Sequence, residues 1–74
     1  MKKKMKEPLT DRQQEILYFI KTYIKENGFP PSIVDIQEDF GFKAKNAASD
    51  FLKALEKKGH ISRAFNVSRG IKVL

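Results

Sequence analysis

Apolar residues recur along the first third of the chain at helical spacing. Ile16, Leu17, Ile20, Tyr23 and Ile24 fall on one side, with Lys21, Lys25 and Glu26 facing away. Thr10 followed by Gln13 is a capping-box signal, because hydroxyl and amide can each satisfy the other's unpaired backbone donor. Asn27-Gly28 is a stop signal, so the first helix is expected at about residues 11–27. Phe29-Pro30-Pro31 must be extended, since each proline also restricts the residue before it. Ser32 then suits an N-cap, with Asp35 three residues on at the positive helix end. Ile33, Ile36 and Phe40 make a second, short helix over 33–40, stopped by Gly41. After the turn Phe42-Lys43-Ala44, a third helix is expected over about 45–58. Its core stripe is Ala48, Phe51, Leu52 and Leu55, and it ends at Lys57, Lys58 and Gly59.

The period changes at His60. Ile61 and Arg63 read as one short strand, and Ile71 and Val73, alternating with Gly70 and Lys72, as another. Between them Phe65-Asn66-Val67-Ser68 forms the turn, where Asn66 can take a left-handed conformation. Residues 1–7 have no periodicity and read as a flexible basic arm, followed by one domain over 8–74. The fold class is mainly α with a small β-hairpin. A short helix joined by a tight turn to a longer one is a helix-turn-helix, and a basic hairpin after it makes the winged form.

The third helix then has a face to spare. Opposite its core stripe lie Asn46, Ser49, Asp50, Lys53 and Lys57, with small Ala47 beside them. Asn can pair twice with adenine, Ser can bond several bases, and Asp can accept from cytosine. Lys53 and Lys57 suit phosphates or guanine. A polar stripe on most helices is only a solvated face; this one occupies the recognition position of a helix-turn-helix.

Charge sharpens that reading. The 74 residues carry +6 overall, and unevenly. Residues 1–6 hold four lysines and no acid; residues 7–42 hold three basic residues against seven acids; residues 43–74 hold eight against two. The C-terminal half is therefore a basic block on a mildly acidic support, and a polyanion is the expected partner. There is no cysteine, so a disulfide framework is excluded; His60 is the single histidine, so neither a protein-only zinc site nor a cofactor is expected. His60 suits a packing role, and Tyr18, Phe19 and Tyr23 read as helix packing residues rather than a stacking platform for single strands. Phe65, at the hairpin tip, suits either a contact to DNA sugars or packing back on the third helix. The longest apolar run, Ile16 to Ile20, has five residues, far too few for a membrane helix. No paired carboxylates or activated nucleophile suggest an enzyme or a small-molecule site. A winged-helix module for protein interaction is the alternative class, and salt-sensitive DNA affinity separates the two.

Five stretches, in order, carry a family resemblance: Leu9-Thr10-x-Arg12-Gln13-x-Glu15; Gly28-x-Pro30-Pro31-Ser32; Gly41-Phe42-Lys43-x-x-Asn46-Ala47-Ala48; Leu52-Lys53-Ala54-Leu55-x-x-Lys58-Gly59-x-Ile61; and Ser68-Arg69-Gly70-Ile71-Lys72. The chain resembles the N-terminal DNA-binding domain of the LexA repressor family, regulators of the bacterial SOS response. The resemblance implies an operator-binding domain that pairs as a homodimer on palindromic half-sites of double-stranded DNA in the bacterial cytoplasm, at the nucleoid. It places base reading on Ala44, Asn46, Ala47, Ser49 and Asp50. It places backbone contacts near Ser32, Lys58 and the wing around Ser68 and Arg69, where Arg69 can bond a phosphate or enter the minor groove; Lys43, Lys45, Lys53 and Lys57 add to them by charge. Two positions depart from the common pattern. Ala44 stands where many members have serine, and Ser49-Asp50 stands where the enterobacterial type has two glutamates, so a different operator is expected. The family's self-cleaving Ser/Lys domain is expected to lie outside this chain, which reads as an excised domain or, alternatively, a naturally short regulator. With its apolar residues consumed by the core, the domain is expected to be mainly monomeric without DNA.

Overall fold

A computed structural model of the chain describes residues 6–64, 67 and 69–74. Three helices, α1 (Asp11–Asn27), α2 (Ile33–Phe40) and α3 (Lys45–Lys57), lead into two strands, β1 (Ile61–Arg63) and β2 (Ile71–Val73). The strands pair antiparallel, with Ile61 opposite Val73, Ser62 opposite Lys72 and Arg63 opposite Ile71. α3 ends at Lys57, one residue short of the expected limit. Lys58 is its C-cap, and Gly59 follows at φ +88° while the His60 amide reaches back to the Leu55 carbonyl at 3.0 Å. The turn expected at Phe65-Asn66-Val67-Ser68 lies outside the described residues except for Val67.

The expected capping box at Thr10 forms, and the N-cap expected at Ser32 is completed as a second box by Asp35. Thr10 Oγ1 accepts from the Gln13 amide at 3.2 Å and Gln13 Oε1 from the Thr10 amide at 3.1 Å. Ser32 Oγ accepts from the Asp35 amide at 3.1 Å and Asp35 Oδ2 from the Ser32 amide at 2.9 Å. α2 ends where Gly41 turns left-handed, φ 70°, and the Phe42 amide bonds back to the Gln37 carbonyl at 3.0 Å. That reversal lets α3 follow within a few residues, which sets the helix-turn-helix pair. α3 itself starts without a side-chain cap, because the Ala44 methyl cannot accept; only the Ala44 carbonyl takes a first-turn amide, that of Ala47 at 3.2 Å.

The core is one cluster of Ile16, Leu17, Ile20, Ile36, Ala48, Leu52, Leu55, Ile61 and Ile71. It draws on all three helices and both strands, each fully buried aliphatic residue contributing about 1.5–3 kcal/mol. Phe51, expected within that stripe, is only half-buried. It packs against the edge of the core, and its ring stacks on Phe42 with centroids 5.6 Å apart. The stack continues a line of aromatic contacts from Phe42 to Phe40, Phe19, Tyr23 and Phe29. Arg12 lies 5.2 Å from the Phe40 ring centre and 5.6 Å from that of Phe42, adding a cation to the line.

Four contacts hold the ends of the domain together. Lys58 Nζ donates to Gln13 Oε1 at 2.8 Å, joining the end of α3 to the start of α1. Before Pro8, the Glu7 amide donates to the Lys58 carbonyl at 3.0 Å, and Lys6 Nζ donates to the Leu74 carbonyl at 2.8 Å. His60 Nε2 meets the Glu7 carbonyl at 2.6 Å. Ordered contacts therefore begin inside the segment expected to be an arm, and Met1–Met5 lie outside the described residues. No helix among the described residues is long and apolar enough to cross a membrane.

Candidate nucleic-acid interface

The buried stripe of α3 leaves its other side to solvent. Asn46, Asp50, Lys53 and Lys57 are exposed, as are Lys43, Ala44 and Lys45 just before and at the helix start. Ala47 and Ser49 are half-buried because they flank the fully buried Ala48. Positions 46, 49, 50, 53 and 57 lie one above another on a helix, so their polar groups form a single ridge. Neither the Asn46 amide nor the Asp50 carboxylate has a side-chain partner among the described residues, and Lys43, Lys45, Lys53 and Lys57 make no ion pair there. Hydrogen-bonding capacity and positive charge on this ridge thus remain available to a ligand. At its entry the uncapped first turn of α3 adds unsatisfied amides and the positive end of the helix dipole.

The other expected backbone contacts are more constrained. Ser32 is half-buried, and its hydroxyl oxygen is occupied by the Asp35 amide. Lys58 is bound to Gln13, and Arg63 pairs with Glu56 at 3.1 Å. Ser68 and Phe65 lie outside the described residues.

Arg69 is the residue whose setting the sequence least foreshadows. Its Nη1 donates to Asp35 Oδ2 at 2.8 Å, to the Pro30 carbonyl at 3.0 Å and to the Tyr23 hydroxyl at 3.3 Å. Its guanidinium carbon lies 4.9 Å from the Phe29 ring centre and 5.9 Å from that of Tyr23. Asp35 Oδ2 also accepts from the Tyr23 hydroxyl at 3.1 Å, so one carboxylate oxygen joins α1, the cap of α2 and the wing. The Ser32 amide, followed by Arg69 and Tyr23, holds the Asp35 carboxyl below the usual aspartate range against the opposing effect of desolvation. The hydrogen bond to Tyr23, helped by Asp35, raises the Arg69 guanidinium further above its already high value. The sequence offers Tyr23 only as a helix packing residue and Asp35 only as a charge at the positive end of α2. No local pattern could have joined them, since Arg69 is 34 residues from Asp35 and 46 from Tyr23.

Electrostatics separate this corner from the α3 ridge. An open groove of about 430 Å³ beside it is lined by Phe19, Tyr23, Glu26, Asn27, Asp35, Glu38 and Asp39. Its four carboxylates repel a polyanion, while the lysines flanking α3 attract one.

A family model described as the LexA DNA binding domain matches residues 6–70. The chain belongs to the LexA DNA-binding domain family. It is 56% identical over 68 residues to a LexA repressor of Petrotoga mobilis, covering 92% of this chain and 33% of that protein. It is 50% identical over 66 residues to a LexA repressor of Glaesserella parasuis, covering 89% and 32%. With LexA repressor 1 of Pseudomonas putida it shares 51% over 65 residues, covering 88% and 32%. The chain therefore spans about a third of the length of these LexA repressors. A crystal structure of a hypothetical protein superposes with a TM-score of 0.73 at 26% identity, covering 90% of this chain and 21% of that one. The match to the LexA domain makes this a DNA-binding domain, and its winged helix-turn-helix is the one inferred from the element order.

Proposed function

We propose that the chain is the operator-recognition domain of a LexA-like SOS repressor, acting on duplex DNA at the bacterial nucleoid. α3 lies in the major groove, and Ala44, Asn46, Ala47, Ser49 and Asp50 face base edges. Lys43, Lys45, Lys53 and Lys57 flank the phosphates. Ser32 and Lys58 approach the backbone at the edges of the contact, and the wing adds a contact around Ser68. Two copies bind palindromic half-sites as a symmetric pair, held together mainly by the DNA.

One observation carries this reading: a polar and cationic ridge on α3, unpaired among the described residues, in a chain that belongs to the LexA DNA-binding domains. Ser49 and Asp50 give that ridge one hydroxyl and one short carboxylate, which favours acceptance from cytosine. Selection from a random duplex library tests it. A two-fold symmetric site, bound much more tightly than random duplex, is the expected result; enrichment of no sequence would overturn it.

A further inference from the structure

We propose that Arg69 is a positioning residue, which holds the wing on the start of α2 through Asp35 and thereby fixes how the wing meets DNA. The proposal rests on the DNA-binding reading and departs from the phosphate or minor-groove contact that the family resemblance implied for Arg69.

The geometry is that of a clamp. Three acceptors from two elements and their link converge on Nη1: Asp35, the Pro30 carbonyl and the Tyr23 hydroxyl. The flat face of the guanidinium lies against Phe29 and Tyr23. Lysine cannot reproduce this, because its ammonium is a point charge without a plane. Among the described residues of the turn, Arg69 alone bonds to another element. The strands on either side have only three residues each, and Ile61 and Ile71 seat their bases in the core. The ladder is short, and the bond from Arg69 to Asp35 ties its turn-side end to α2. Asp35 is in turn fixed by Ser32, and α2 packs directly on α3. Wing and recognition helix therefore share one reference frame, as a bipartite DNA contact requires.

The clamp and the phosphate contact predict opposite results for conservative variants. Binding of the 74-residue chain to the duplex recovered by selection, measured over a salt series, separates them. Under the clamp, Arg69→Lys weakens binding as much as Arg69→Ala, by about three- to tenfold, and the salt slope of each stays that of the wild type. Asp35→Asn, which keeps an acceptor for the Ser32 amide, weakens binding by a similar factor although it removes a negative charge. The double variant Asp35→Asn with Arg69→Ala is no weaker than either single one. Circular dichroism checks that each variant remains helical. In NMR spectra without DNA, Asp35→Asn and Arg69→Lys shift the Ala64 and Gly70 amides alike, a readout that stands even if no duplex is bound. The proposal is overturned if Arg69→Lys binds like wild type, if Arg69→Ala flattens the slope by about 0.9, the effect of one lost phosphate contact, or if Asp35→Asn binds more tightly.

Discussion

Asn46 has an exposed amide on the α3 ridge and no side-chain partner among the described residues, so its truncation leaves the fold alone. Asn46→Ala is expected to lose about 1–3 kcal/mol of discrimination at one base position. Competition binding against single-base variants of the site measures this; equal losses on selected and random duplex would make Asn46 a backbone contact. Asp35 makes a pH prediction. Its carboxyl is held below the usual range when folded, so its contribution is present above the unfolded value and is lost as pH falls through the folded one. Wild type and Asp35→Asn should therefore diverge in Tm above about pH 4 and converge below it. Converging Tm values near neutral pH would show that the carboxylate contributes nothing. At this scale the sequence is readable only over short distances. Ser32 and Asp35 are three residues apart and declare a helix start, whereas Tyr23, Asp35 and Arg69 meet only because α1, α2 and the wing are packed.

The helices are legible because their signals are local. Thr10 and Gln13, Ser32 and Asp35, and the glycines at 28, 41 and 59 mark starts and stops that the structure reproduces to within a residue. Phe51 is different: spacing puts it on the core side, where it does pack, but only half-buried at the edge because Phe42, just before α3, stacks on its ring. The wing was legible as two strands, but not its docking. Gly70 lets the hairpin close tightly on itself, since a Cβ there would lie 3.1 Å from Ala64 and from Val67. α3 also carries a removable weakness. Ala44 sits in extended N-cap geometry, φ −136° and ψ 151°, without a side-chain acceptor. Ala44→Ser is expected to stabilise the domain by about 1 kcal/mol, raising Tm by roughly 4–8 °C. Thermal denaturation followed by circular dichroism checks it, and an unchanged Tm would mean that the first turn is already satisfied.

For the molecule as a whole, charge and size decide behaviour. Among the described residues the apolar ones are largely spent on one core, and the large exposed ones, such as Tyr18, Phe29 and Val34, are few. They offer little toward the ~800 Å² per partner of a stable interface. The domain should sediment as a monomer alone and as a pair on a two-half-site duplex, where adjacent copies act at high local concentration. A tight dimer without DNA would contradict that. The central claim is that a basic ridge on α3 binds a particular duplex sequence. The most direct test is the affinity of the chain for its selected duplex and for random duplex across a range of salt. The account predicts tighter binding to the selected site at every salt concentration. It also predicts a slope of log K against log salt steeper than about −3.5 per monomer, the yield of at least four phosphate contacts. Equal affinity for both duplexes, or a slope near zero, would contradict it.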